Sequence, residues 1–454
     1  MLILFILIYI LVTLFIGLFS ARYLKSTSDF IVAGHRLPLS MATATVFATW
    51  FGSETLLGAS SQYAEYGLIG VIEDPFGASL CLLLIGLFYA RPLYRMKLLT
   101  FGDFYKVTFG PKAEIVAALF LIISYFGWIA AQMVAMGIVV SLLSGWDLHV
   151  CIIATSAIVI LYTYVGGMLA VSVTDFIQMI FIIIGLVIVL LFLLPEVGGI
   201  SKLFSEIPKS HYSISLTTPR DYISFFAALI TLGLGSIPQQ DVYQRVMASK
   251  SEKVAVVSSI IGSVLYFTIA LIPLVLALIA KKMNLDFGDD IQNMLPTLVL
   301  TKTPLLIQIL FFGALISAIM STASGAILAP AVILSENILK PHFFKRKLSD
   351  KKLLRITRIS VLVVSAIALI MALVRRDIYE LVGEASAISL VSLFVPLTAG
   401  LFFKLKSERV ALCSMLGGFA TWVICTLLFP DSYPIVVGLL ASVLFSCFPA
   451  KKSK

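Results

Sequence analysis

Residues 43–61 read TATVFATWFGSETLLGASS. The segment is long enough to cross a bilayer, because about 20 residues of helix span the hydrocarbon layer, and both of its ends are apolar. Its centre, however, holds Trp50, Phe51, Gly52, Ser53 and Glu54, so a glycine, a hydroxyl and a carboxylate fall where lipid would lie. A charge at the bilayer centre costs about 2.5–3.5 kcal/mol on insertion scales. Unpaired backbone at that depth is tolerated only where it lines a cavity or binds something. The stretch therefore reads as a membrane helix broken at a functional site.

The rest of the chain supports a membrane setting. Of 454 residues, 60% are hydrophobic and only 13% charged, too few polar side chains to cover a soluble domain of this size. Thirteen apolar spans are expected, at about 2–24, 38–62, 72–96, 113–143, 149–167, 173–195, 220–245, 254–281, 303–340, 353–374, 378–404, 409–429 and 433–449. The first lacks a basic leader and a small-residue cleavage site, so it reads as a retained span. The connections are short, which leaves no soluble domain for enzyme chemistry. An integral-membrane enzyme would need paired acids or metal-spaced His and Asp, and none is seen. Cys81, Cys151, Cys413, Cys425 and Cys447 lie in or beside apolar runs without metal spacing, as small core residues do.

Sorted by loop, 25 of the 33 Lys and Arg fall on one side and 8 on the other; the most basic loop is KPHFFKRKLSDKKLLRITR (340–358). The positive-inside rule then places the N-terminus outside and the C-terminus in the cytoplasm of a plasma (inner) membrane, as an odd span number also requires. The net charge of +9 is thus a topology signal, and no nucleic-acid partner is expected.

A second span, DYISFFAALITLGLGSIPQQDVYQR (221–245), is interrupted by Gly233, Gly235 and Pro238, five spans after the first break. Matching interrupted spans point to an inverted repeat with its binding site near the midplane. The expected fold is all-α and polytopic. A helix and loop at 1–37 precede a first five-helix repeat at 38–195. An extracellular loop at 196–219 leads to a second repeat at 220–404, and two helices with a cytoplasmic tail follow at 405–454.

Two further constellations carry chemistry. GALISAIMSTASGAILAPAV (313–332) crowds Ser317, Ser321, Thr322 and Ser324 on an apolar helix, with Ser321 and Ser324 on one face. Hydroxyls are hard ligands for a small cation, and small residues equally suit close helix packing. In YVGGMLAVSVTDFIQM (164–179), Asp175 follows a Gly-Gly turn at the start of the sixth span. It reads either as a helix cap or as a cation ligand or proton carrier.

Taken together, FATWFG (47–52), GGMLAVSVTDFIQ (166–178) and SAIMSTASG (317–325) resemble landmarks of the sodium:solute symporter family. The resemblance covers about 30–430 and implies a LeuT-like five-plus-five inverted repeat. It also implies a sodium site built from the carbonyls of Ala48, Phe51 and Ala318 with the hydroxyls of Ser321 and Thr322. Asp175 matches the coupling aspartate and, with Ser324, a possible second sodium; Gly325 stands where a further serine is often found. Sodium is then the coupling ion, and no organic cofactor is expected.

Within the family, ATW (48–50), YFGWIAAQMVAMG (125–137) and GSIPQQDVYQRVMAS (235–249) look most like the high-affinity choline transporter branch. Trp50 and Trp128 match two walls of an aromatic cage for a quaternary ammonium, while Gln239 replaces the third. Glu54 and Gln132 complete the expected solute site. Glu73 and Asp74 read as outer-edge residues or solute contacts, and Asp241 with Arg245, four on, reads as an intrahelical ion pair or a solute contact.

The expected function is sodium-coupled import of a small polar organic solute by alternating access, with choline, another amine or a betaine favoured. An amino-acid or sugar-type solute, or a sodium-linked sensor, is the alternative. The partners are solute, sodium and lipid, and the sequence leaves the oligomeric state open.

Overall fold

The computed structural model describes residues 2–20, 27–288, 290–344 and 349–447. Among the orienting charges, Arg22, Lys25, 345–347 and the tail lysines lie outside them. The described residues form helices with no strand; an isolated bridge joins Leu37 to Ser249.

The helices pair one for one with the thirteen expected spans. They are α1 (Leu2–Ser20), the broken pair α2 (Leu39–Trp50) and α3 (54–66), then α4 (72–96), α5 (Pro111–Ser144), α6 (Leu148–Met168) and α7 (Val171–Val197). After these come the bent pair α8 (Pro219–Gly235) and α9 (Gln240–Ala248), α10 (Glu252–Lys282), α11 (Leu305–Phe343), α12 (Asp350–Val374), α13 (Ile378–Phe402), α14 (Glu408–Leu428) and α15 (Pro434–Ser446). The second pair bends by 48°. Short helices Gly199–Glu206 and Met294–Lys302 occupy the two longest connections.

Capping starts several of these elements. Thr218 and Asp221 form a reciprocal capping box ahead of α8, which satisfies two free amide donors and stabilises the turn by about 1 kcal/mol. Each long helix then divides its faces between core and lipid. On α12, Val361, Val364 and Ala368 are buried, while Ile359, Leu362, Ile370 and Val374 are exposed as lipid-facing residues would be.

The turn between the fifth and sixth spans is tighter than expected. α6 and α7 are joined without an intervening loop, by a kink at Gly167, whose φ of 58° and ψ of −167° suit glycine. A Cβ there would stand 2.3 Å from the Phe30 ring. Asp175 consequently lies inside the bundle and is fully buried, not at an interfacial cap. α11 packs along α6 and α7, and α2 packs between α10 and α7, so the first break is enclosed by helices from both halves.

Candidate functional site

The first break is defined by where its backbone groups go. α2 ends at Trp50, and Phe51 leaves helical geometry with φ −79° and ψ 82°. The Ser53 amide, which a continuous helix would give to the Thr49 carbonyl, instead donates to Gln132 Oε1 at 3.1 Å. The freed Ala48 carbonyl accepts from Thr322 Oγ1 of α11 at 3.0 Å. Gly52 makes this approach possible, since a Cβ would stand 2.7 Å from Thr322 Oγ1 and 3.0 Å from Gln132 Oε1. The C-terminal end of α2, with the partial negative charge of its last carbonyls, thus faces the hydroxyl-bearing turn of α11.

Asp175 closes the same corner. Its Oδ1 accepts from Ser321 Oγ and its Oδ2 from Thr45 Oγ1, each at 2.5 Å. One carboxylate therefore ties α7 to α2 and α11. Ala318, Ser321 and Thr322 are all buried on the facing side of α11. Carbonyl, hydroxyl and carboxylate oxygens are the donor set of a small hard cation. Ser324 is buried too, but its hydroxyl donates to the Met320 carbonyl of its own helix at 2.8 Å.

Beside this oxygen-lined corner is an aromatic wall. Trp50 and Trp128 are 4% and 3% exposed and meet edge to face, with centroids 5.7 Å apart and planes at 64°. Tyr125, one turn before Trp128, stacks under it at 6.2 Å, and Tyr266 of α10 meets Trp50 edge-on at 6.5 Å. A cavity of only about 10 Å³ lies between Trp50, Thr49, Ser259 and Arg245. It is smaller than the roughly 300–1,000 Å³ of most ligand pockets, so the site is closed in on itself in this conformation.

Beyond Tyr266, Glu54, Glu73 and Asp74 come close enough for their charges to act on one another. Tyr266 donates to Asp74 Oδ1 and meets Thr55 Oγ1 at 2.6 Å. Glu54 Oε1, Glu73 Oε2 and Asp74 Oδ2 have no hydrogen-bond partner, and among the described residues no basic side chain pairs with any of the three. Asp74 is fully buried and belongs to the interior, whereas Glu73 is only half-buried.

The second break contributes unsatisfied polar groups. Gln239 caps α9, is fully buried, and has no partner for either amide atom. Gln132 Nε2 and Ser53 Oγ are also unpartnered. The expected Asp241–Arg245 ion pair does not form. Asp241 Oδ1 accepts from Tyr125 OH at 2.5 Å, while Arg245 Nη1 reaches only the Asp241 backbone carbonyl, at 3.4 Å. Arg245 is also no loop residue, being 1% exposed.

Thr45, Tyr125 and Tyr266 line the site but were not singled out from the sequence, and Arg245 was read only as the partner of Asp241. Tyr125 carried a usable signal, its spacing of three from Trp128 on one helix face. Tyr266 was a lone phenol within an apolar run. The contacts of Thr45 and Arg245 depend on tertiary packing.

The sequence matches the model described as "Sodium:solute symporter family" over residues 30–418. It is 27% identical to high-affinity choline transporter 1 of Drosophila melanogaster over 455 residues, covering 96% of this chain and 71% of that one. It is 28% identical to an osmoregulated proline transporter of Bacillus subtilis over 456 residues, covering 96% and 92%. The fold superposes on the substrate-bound outward-open state of a Na+-coupled sialic acid symporter with a TM-score of 0.84 at 20% identity, covering 98% and 96%. It superposes on the inward-facing conformation of Mhp1 with a TM-score of 0.58 at 15% identity, covering 93% and 92%. These neighbours share the LeuT-like five-plus-five fold, and the relatives are transporters, not enzymes. With its two broken helices, its oxygen-lined corner and a family match along most of its length, this chain is a multi-pass membrane transporter of the sodium:solute symporter family.

Proposed function

We propose that this protein imports a small organic amine, quaternary or zwitterionic, by coupling its entry to inward sodium movement. The observation that carries the substrate class is the pairing of Trp50 and Trp128, joined through Tyr266 to an acidic cluster of buried Glu54 and Asp74 with half-buried Glu73, which no base among the described residues pairs with. Aromatic faces attract an ammonium by about 2 kcal/mol or more once water is excluded. Glu54, with Glu73 and Asp74, supplies the compensating negative charge.

Sodium binds between the carbonyls of Ala48, Phe51 and Ala318 and the hydroxyls of Ser321 and Thr322, with Asp175 as its fixed counter-charge. It bridges α2 to α11 and so favours the state in which the solute site is assembled. Solute favours the same state, and the two affinities rise together. Rocking of one repeat (38–195) against the other (220–404) then exposes both to the cytoplasm. In this reading the N-terminus is outside and the C-terminus cytoplasmic, in the plasma or inner membrane.

An amino-acid solute is the second reading. It is favoured by Gln239, whose two free amide atoms offer a donor and an acceptor where an aromatic cage would offer a ring face. Thermal unfolding of the purified protein with choline, betaine, proline and a neutral sugar, each with and without sodium, tests both. Ligands that bind only the folded state raise its apparent stability. Stabilisation by choline or betaine that requires sodium supports the amine reading, and stabilisation by proline alone selects the second. Stabilisation by the sugar alone, or by any solute equally without sodium, contradicts the proposal.

A further inference from the structure

Arg245 is among the largest side chains that the protein encloses completely, and it sits on the second broken helix. Burying a guanidinium is strongly unfavourable unless negative charge lies close by. Yet its Nε and Nη2 have no partner, and it touches no carboxylate directly. Nη2 fills the notch left by Gly325 on α11, where a Cβ would stand 2.4 Å from it. Gly325 lies one turn beyond Ser321, whose hydroxyl holds Asp175. The guanidinium, Ser321 and the Asp175 carboxylate are therefore gathered along one face of α11. From there the Arg245 charge acts on both Asp175 and Asp241.

The charge balance of this buried cluster limits its ion count. Asp175 and Asp241 contribute two negative charges and Arg245 one positive charge. A single sodium at the Ala48–Thr322 site makes the cluster neutral. A second sodium beside Asp175 would leave this cluster with a buried net positive charge, and it would face the guanidinium held in the Gly325 notch one turn from Ser321. Ser324, the other hydroxyl on that stretch, is turned back onto its own helix.

We propose that Arg245 is a tethered cation standing in for a second sodium beside Asp175, so that one sodium moves per transport cycle. This inference rests on the sodium site proposed above. The test is equilibrium binding of radiolabelled sodium to the purified full-length protein. The wild type is expected to bind one sodium per chain. Arg245→Gln is expected to bind two, with the extra ion lost again in Arg245→Gln combined with Asp175→Asn. Arg245→Lys, which keeps the charge, is expected to stay at one.

Two sodium ions in the wild type would overturn the inference while leaving the sodium site intact. No gain in Arg245→Gln, or a gain in Arg245→Lys, would overturn it as well. No sodium bound by the wild type would remove the sodium site and the inference with it. If Arg245→Gln does not fold, the wild-type count decides.

Discussion

Single side chains carry distinct parts of the coupling. Thr322 holds the Ala48 carbonyl and Ser321 holds Asp175, and in the proposed mechanism each hydroxyl also offers an oxygen to the ion. Losing a hydrogen bond to a charged group costs about 1.5–3 kcal/mol, roughly a 10- to 150-fold change in affinity. Thr322→Ala or Ser321→Ala should therefore raise the sodium concentration for half-maximal uptake by about that factor, and an unchanged sodium dependence would remove these residues from the ion site. Trp50 is proposed to act on the other ligand. If the proposed cation–π contact is made, worth about 2 kcal/mol, Trp50→Ala should weaken solute binding roughly 30-fold while moving sodium affinity less. Equal loss of both, in parallel titrations of solute and sodium, would assign Trp50 to packing.

Helix packing decides whether those side chains meet. The second break is held where α8 presses on α13, with Gly235 so close to the Ser386 carbonyl that a Cβ would stand 2.4 Å away. Gly235→Val should separate the two helices and destabilise the protein by about 1–3 kcal/mol, as overpacking does, visible as a lower thermal midpoint and slower turnover. A variant of unchanged stability and rate would show that the contact is dispensable. At this scale the sequence was highly legible. Runs of about 20 apolar residues mark spans directly, and glycine, proline or a charge inside such a run marks a break. Less legible was the company each residue keeps. Arg245 lies four after Asp241, which suggests an ion pair, but Tyr125 reaches Asp241 first and Gly325 gives the guanidinium a place across the bundle. For Glu73 and Asp74 the sequence left edge and site readings open, because helix depth is not written in local composition. The burial of Asp74 goes with its bond from Tyr266, which Thr55 also meets.

At the scale of the whole molecule, the proposed cycle moves charge. Each elementary charge crossing a 100 mV potential is worth about 2.3 kcal/mol, roughly a 50-fold effect on accumulation. An inside-negative potential should therefore raise solute accumulation in liposomes, and indifference to voltage would argue for compensating ion movement. The central claim, that sodium at the α2–α11 corner drives solute uptake, has one direct measurement: uptake of radiolabelled choline into proteoliposomes with and without an inward sodium gradient, competed by amino acids, betaines and sugars and repeated with Thr322→Ala. The account predicts accumulation that needs the gradient, is competed by amines or betaines, and requires far more sodium in the variant. Uptake equal with and without the gradient, or the same sodium requirement in Thr322→Ala, would contradict it.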